Sequence, residues 1–260
     1  MKLLTKEEVG LAFSKAAPTY DLASDFQKET GQRLIDRILS DGLRPDKILD
    51  VGMGTGRITR ELSLKFNRPI HGCDIAWGMV RFSRSNAGDI FAIQADMENL
   101  PYKTGIFDVV FSNIAYQWTH NLKAAISEIK RVTSQQGRFY FSILVEDSLN
   151  ELYKSIALAA NKDYNKGLFP GAEYLRHEFR EAGFRLAWAE ELCLKKYYKD
   201  SLELIRRLKN IGAGKIFKSN IFGMGQRQLF FKMLEGYNSM FNENGRVFAS
   251  YNIFLGRAQK

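Results

Sequence analysis

Three glycines at alternate positions close the run Ile48–Gly56, I-L-D-V-G-M-G-T-G, and an acid, Asp50, stands two residues before the first of them. A short apolar strand that passes directly into such a loop constrains the chain strongly. Glycine alone reaches positive φ without strain and lets main-chain N–H groups approach a bound group with no Cβ between them. Gly52, Gly54 and Gly56 therefore form a nucleotide-type loop candidate, or else a tight strand-to-helix turn that binds nothing.

The residues that follow favour a βαβ unit. Arg57 to Phe66 has helical apolar spacing at Ile58, Leu62 and Phe66, and Pro69 to Cys73 reads as a second strand ending at Asp74. Twenty-two residues separate Gly52 from Asp74, close to the roughly 20 expected between a glycine loop and a ribose-binding acid. Asp74 is thus a ribose ligand, with capping of a helix beginning near Trp77 as the alternative.

Charge decides between the two ligand groups that use this frame. A dinucleotide site needs G-x-G-x-x-G to seat pyrophosphate on a helix N-terminus, whereas this loop is G-M-G-T-G behind Asp50. An acid there repels pyrophosphate and suits an ammonium group, which points to S-adenosylmethionine ahead of a nicotinamide cofactor. Further strands are expected at Ile90–Gln94, with Asp96 and Met97 just beyond, and at Phe107–Phe111, ending at Ser112-Asn113. In an open α/β sheet the C-terminal strand ends line the ligand crevice, so Asp50, Asp74, Asp96 and Asn113 should converge there.

Ile48 to Phe141 resembles the class I S-adenosylmethionine-dependent methyltransferases through D-V-G-M-G-T-G, Asp74, A-D-M at Ala95–Met97 and F-D-V-V-F-S-N-I-A-Y-Q-W at Phe107–Trp118. F-S-K-A-A-P-T-Y-D (Phe13–Asp21), the S-N-I-A-Y-Q-W segment with its Gln117-Trp118, L-K-N-I-G-A (Leu208–Ala213) and S-Y-N-I-F-L-G (Ser250–Gly256) narrow the resemblance to the malonyl-[acyl-carrier protein] O-methyltransferase family of biotin synthesis. It implies that the three glycines wrap the methionyl and ribose parts, Asp50 faces the ammonium, Asp74 serves the ribose, and Ile75 beside it also contacts the cofactor. Asp96 and Met97 would meet the adenine, Asn113 and Ile114 the sulfonium, and Tyr20 with Asp21 would fold over the cofactor. Met53 departs from the cysteine more usual in the loop, and Thr119-His120 follows Gln117-Trp118 where neighbouring positions vary.

The implied fold is a doubly wound, mostly parallel, seven-stranded Rossmann-like sheet with a helical lid insertion before the last strand. A single methyltransferase domain over 1–260 is expected, with N-terminal closing helices at 1–40, a cofactor-binding core at 45–145, and the rest of the sheet at 146–200 and 247–257. A strand at Arg138–Val145, a helix at Asp147–Asn161, a helix at Ala172–Ala182 ending on Gly183 and a strand at Phe184–Tyr197 complete the second half. The last strand is expected at Val247–Leu255.

Between the last two strands, Ser201 to Arg246 reads as two helices, Ser201–Asn210 and Gln226–Phe241, around a glycine-containing loop. It holds eight basic residues against three acidic ones, a net +5 of the chain's +9. Such a lid is either an ordinary solvated face or a site for an acidic partner. No nucleic-acid module accompanies it, and no clear aromatic stacking platform interleaves its charges. With the resemblance, the partner is acyl-carrier protein delivering malonyl, whose carboxylate oxygen would attack the cofactor methyl carbon in line. Lys209, or else Arg207, would hold that carboxylate, and Tyr20 and Trp118 would exclude water from the sulfonium. A quinone-type or RNA methyltransferase, or a non-catalytic binding protein, would share the core motifs.

Cysteine and histidine usage points away from metal and hydrolase chemistry. Cys73 and Cys193 stand alone in apolar stretches without C-x-x-C spacing and are expected to be buried thiols. His71, His120 and His177 are scattered, and only His120, just past the fourth strand, is placed to reach a substrate. Apolar runs fall short of the roughly 20 residues of a membrane span, and Met1–Leu4 is followed by T-K-E-E rather than a signal-peptide core. A cytoplasmic enzyme is expected.

Overall fold

A computed structural model describes residues 4–86, 88–162, 169–214 and 227–260. The chain opens with α1 (Lys6–Ala23), whose start is fixed by a reciprocal capping box: Thr5 Oγ1 accepts from the Glu8 N–H at 3.2 Å, and Glu8 Oε2 accepts from the Thr5 N–H at 2.9 Å. A break at the buried Ser24 turns the chain into α2 (Asp25–Ser40). Five strands follow with intervening helices: β1 (Ile48–Val51), α3 (Arg57–Phe66), β2 (Ile70–Asp74), α4 (Trp77–Ser85), β3 (Ile90–Gln94), β4 (Phe107–Asn113), α5 (Leu122–Val132) and β5 (Thr133–Leu144). The second half adds α6 (Asn150–Ala160), α7 (Ala172–Glu181), β6 (Arg185–Tyr198), α8 (Ser201–Asn210), α9 (Arg227–Met240), β7 (Asn242–Glu243) and β8 (Arg246–Gln259).

The strands run β3-β2-β1-β4-β5-β8-β6, with β1 to β5 parallel and β8 antiparallel to both β5 and β6. The order reverses between β1 and β4, and the glycine loop after β1 sits at that switch point, where α/β sheets bind ligands. Seven strands form the path, as the sequence led us to expect; an eighth, the two-residue β7, pairs with the start of β8. Most element bounds fall within a residue or two of the sequence reading. The exceptions are β5, which begins at Thr133 rather than Arg138, α6, which begins at Asn150 after positive-φ turns at Asp147 and Leu149, and β8, which continues to Gln259. Residues 215–226, most of the loop between the two lid helices and two of the lid's eight basic residues, Lys215 and Lys218, among them, lie outside the described residues.

The closing segment S-Y-N-I-F-L-G now has a physical explanation. A Cβ on Gly256 would stand 2.4 Å from Phe141 Cζ, so glycine admits the Phe141 ring, which stacks on Phe179 at 4.5 Å. Ser250 and Asn252 tie β8 to the start of α6 and the turn before it: the Ser250 hydroxyl and N–H both donate to Glu151, and the Asn252 N–H donates to Ser148 Oγ. Between them Tyr251 turns to the other face and stacks on Phe26 at 4.3 Å.

One expectation fails. Cys73 is buried, but Cys193 is exposed. It lies in β6, at the sheet edge and paired only with β8, where most side chains of its central stretch remain accessible. Its apolar neighbours in sequence reflected strand propensity rather than burial.

Candidate active site

The glycine loop, the acid before it and the α1–α2 joint build one cavity. Its wall includes Tyr20, Asp21, Asp50, Gly52, Gly54 and Asn113 from the predicted set, together with Gln27, Met53, Thr55, Arg57, Ile58 and Phe111. Gly52, Gly54 and Gly56 all have positive φ, at 77°, 56° and 75°. A Cβ on Gly52 would stand 2.4 Å from the Ala115 Cβ, and one on Gly56 2.2 Å from Ser83 Oγ. At Gly54 the nearest atom is Tyr20 Cε1 at 4.0 Å, so that glycine keeps open a space roofed by an aromatic ring.

Two carboxylates flank the loop. Asp50 is 2 % exposed and accepts from the Thr59 hydroxyl at 2.6 Å. Burial pushes its pKa up to about 7; the Thr59 bond opposes this, and the charge of Asp74 adds to it. Such a group, at the end of a strand and able to ionise near neutrality, suits a cationic ligand atom. Asp74 is tied to backbone on both sides: Oδ2 accepts from the Gly54 N–H at 2.9 Å and Oδ1 from the Ala76 N–H at 2.8 Å, just ahead of α4. Burial raises its pKa, while these two N–H groups lower it.

Asn113 is held rigidly rather than left free. Its Oδ1 accepts from Thr30 Oγ1 at 2.8 Å and Ser142 Oγ at 2.6 Å, and its Nδ2 donates to the Gln27 carbonyl at 2.7 Å. The adjoining Ile114 is buried with φ 51°, rare for a β-branched residue. Asp74, Ile75, Asp96, Met97, Ile114 and Gly56 are not in the cavity wall. Met97 Cε lies 3.8 Å from the position of a Cβ on Gly52, while Asp96 Oδ2 pairs with Lys6 Nζ of α1 at 2.6 Å. Ile75 offers its carbonyl to Gln94 Nε2 at 2.9 Å.

The roof is the N-terminal signature. Asp21 accepts from Thr55 Oγ1 at 2.8 Å, fastening α1 to the glycine loop. Phe13 lies 6.4 Å from the Tyr20 ring and 5.0 Å from Trp118, edge-on, so Tyr20 and Trp118 belong to one aromatic group. Burial, with the charge of Asp74 adding to it, pushes the Tyr20 hydroxyl well above its ordinary pKa, so it is neutral at pH 7. The Gly78 N–H donates to Ser14 Oγ at 2.9 Å, and the Asn210 carbonyl accepts from Thr19 Oγ1 at 3.0 Å. Helix α1 therefore bridges the cofactor half and the lid.

Beyond the joint lies a second cavity of about 230 Å³, whose wall includes Asp25, Phe26, Lys196, Tyr198, Arg207 and Tyr251. Arg207 pairs with Asp25 at 2.7 Å and Glu203 at 3.2 Å, and Lys196 with Glu29 at 2.5 Å. Lys209 stands on the exposed face of α8, outside this wall. His120 Nε2 is bonded to the Leu4 carbonyl at 2.7 Å, away from both cavities. Among the described residues no group of three or more His, Cys, Asp or Glu could hold a metal ion, and no helix is long and apolar enough to cross a membrane.

Sequence reasoning missed Gln27, Arg57 and Thr59. Arg57 and Thr59 sat inside an amphipathic helix pattern, and Gln27 was one polar residue among several on α2; no spacing distinguished them.

A glycine loop at the switch point, with an acid before it and another at the end of β2, is the arrangement of the class I, S-adenosylmethionine-dependent methyltransferase fold. The comparisons agree. A family model described as "Methyltransferase domain" matches residues 49–141. In fold the chain is similar to the YcgJ protein of Bacillus subtilis (TM-score 0.62, 16% identity, 88% of this chain and 98% of that one). It also resembles the [4+2]-cyclase SpnF (TM-score 0.51, 18% identity, 82% and 75%), so this fold by itself does not fix a reaction. Full-length relatives are more specific. Proteins named malonyl-[acyl-carrier protein] O-methyltransferase are 31% identical in Methylovorus (99% of this chain, 90% of that protein) and 32% in Hahella chejuensis (95% and 88%). One from Geobacter sulfurreducens is 29% identical over 98% of both chains. The chain belongs to the malonyl-[acyl-carrier protein] O-methyltransferase family.

Proposed function

We propose that this enzyme transfers the methyl group of S-adenosylmethionine to the free carboxylate of a malonyl thioester carried by acyl-carrier protein, or by coenzyme A. The methyl ester would hide the charged end of malonyl, so that fatty-acid enzymes can extend it towards the pimeloyl chain of biotin. The relatives' shared name supports this reading. The structural observation that carries it is the second cavity, with Arg207 in its wall, which shares the α1–α2 joint with the first: Asp25 and Phe26 line one, and Tyr20, Asp21 and Gln27 the other.

The residues fit the cofactor: positive-φ glycines leave room for backbone contact, and a buried acid with a pKa near neutrality awaits a cation. When bound, S-adenosylmethionine supplies a methyl group on a positively charged sulfur. Asp50 would hold the ammonium and Asp74, with Ile75 beside it, the ribose. Asp96 and Met97 would border the adenine, Asn113 and Ile114 the sulfur, and Tyr20 and Asp21 would close over it.

A malonyl carboxyl group, with a pKa near the ordinary value of about 4, is already ionised at pH 7, so no side chain needs to act as a general base. The protein's task is then positioning and exclusion of water. Arg207 would take the substrate carboxylate in exchange for the exposed carboxylate of Asp25. Tyr20 and Trp118, joined through Phe13, would keep water from the reacting atoms. Lys209, on the outer face of α8, would instead add to the field that steers an acidic carrier towards the lid.

The test is transfer of labelled methyl to malonyl-acyl-carrier protein, malonyl-coenzyme A, a quinone precursor and bulk RNA in parallel. Labelling confined to the malonyl thioesters is expected. Labelling of the quinone precursor or RNA alone would replace this substrate assignment with another.

A further inference from the structure

The cofactor cavity contains two buried polar atoms that its protein neighbours leave unmatched. Gln27 is 6 % exposed; its backbone carbonyl is taken by Asn113, yet its side-chain Oε1 has no donor among the described residues. Arg57 places Nη1 3.2 Å from the Asp21 carbonyl and Nη2 3.3 Å and 3.1 Å from the Ser24 carbonyl and hydroxyl, but its buried Nε–H has no acceptor among the described residues. Native proteins rarely leave such atoms unsatisfied, because each forfeits its bonds to water on burial.

Both residues line the same cavity as Asp50. Asp21 lines the space as well, but its carboxylate is already engaged by Thr55 Oγ1 at 2.8 Å and by Arg57 Nη1 at 3.7 Å; the unmatched Nε–H, the neutral acceptor and the Asp50 carboxylate are left to face an amino acid's carboxylate and ammonium on one carbon. The guanidinium is held by the backbone at the α1–α2 joint, so little side-chain entropy is lost when it accepts a ligand.

Resting on the S-adenosylmethionine reading above, we propose that Arg57 and Gln27 clamp the amino-acid end of the cofactor, Arg57 binding its carboxylate and Gln27 joining Asp50 on its ammonium. The cavity measures about 40 Å³, room for roughly three waters. Arg57 also fastens the joint, through the Asp21 carbonyl and Ser24. Arg57 thus acts on ligand and joint together, and the experiment has to separate the two.

Binding to full-length wild type, Gln27→Met, Arg57→Met and Ser24→Ala is measured by calorimetry with two probes. S-adenosylhomocysteine carries the amino-acid end; 5′-methylthioadenosine keeps the adenosine and sulfur without it. Arg57→Met is expected to weaken S-adenosylhomocysteine about tenfold or more, as for a lost charge-assisted bond, and Gln27→Met by a smaller factor. 5′-Methylthioadenosine should change less than about twofold in both. Ser24→Ala, which removes one bond of the joint, should leave the ratio of the two affinities as it is in the wild type. Equal weakening of both probes, or no change in either, would overturn the clamp and leave Arg57 a holder of the joint and Gln27 a neighbour of water. A wild type that binds neither probe would refute the cofactor reading itself, and the clamp with it.

Discussion

Thr59 donates its hydroxyl proton to Asp50 at 2.6 Å, from one turn inside α3 to the acid at the end of β1. Both side chains are almost wholly shielded from water. That contact opposes, without cancelling, the upward shift that burial imposes on the acid assigned to the cofactor's ammonium. In the unfolded chain the carboxyl titrates at its ordinary 3.8; in the folded protein burial raises it to about 7.

Protonation therefore favours the folded state. The stability this group contributes is complete below pH 3.8, shrinks as pH rises towards 7, and is gone above it. An ammonium ligand reverses the preference, so S-adenosylhomocysteine should bind more tightly as pH rises through about 7, expelling a proton below it. Thermal unfolding and calorimetry between pH 5 and 8 check both slopes, and Asp50→Asn should flatten each of them.

Gly52 and Gly105 share positive φ, 77° and 71°, but differ in surroundings. A Cβ meets Ala115 at 2.4 Å in the first case and nothing within 4 Å in the second. Gly105→Ala should cost about 1 kcal/mol, from backbone strain alone. Gly52→Ala should cost about 2–4 kcal/mol, since overpacking adds to the strain, and should also abolish cofactor binding. Urea unfolding of both variants measures the difference.

Gly256 and Phe141 form a packing pair. Gly256→Ala should destabilise by about 1–3 kcal/mol because the Phe141 ring occupies the space a methyl would need. Adding Phe141→Leu to that variant should restore part of the loss. Non-additivity in a double-mutant cycle would measure the coupling, whereas additive costs would mean that the ring does not set the requirement for glycine.

The glycine loop, Asp50 and Asp74 were legible in the sequence because close backbone approach and strand-end acids leave a mark on residue type and spacing. So were α3, whose helical apolar spacing matches its bounds, and the stretches of β3 and α8. Three-dimensional pairings left no such mark. Nothing in the chain near Arg57 announces that its guanidinium holds Ser24, 33 residues earlier. Met53, a departure from the family loop, is accommodated by Gly72 on the next strand, where a Cβ would lie 2.5 Å from its sulfur. Cys193 misled because an apolar strand reads alike at a sheet's edge and at its centre. Arg207 and Lys209 stand two apart on α8 and so face different ways, one into the second cavity and one outward.

That divergence separates their effects. Arg207→Gln should raise the KM for malonyl-acyl-carrier protein about tenfold or more, with S-adenosylhomocysteine affinity unchanged. Lys209→Ala should change KM less than about threefold, an effect that disappears at high salt as screening removes long-range steering. Steady-state kinetics at two ionic strengths distinguish the two roles.

The reaction itself is tested most directly by mass spectrometry of malonyl-acyl-carrier protein after incubation with the enzyme and methyl-labelled S-adenosylmethionine. One labelled methyl group should appear on the malonyl carboxylate, recovered as methanol after mild alkaline hydrolysis of the ester. An unchanged malonyl group, in a protein shown to bind S-adenosylhomocysteine, would contradict the assignment.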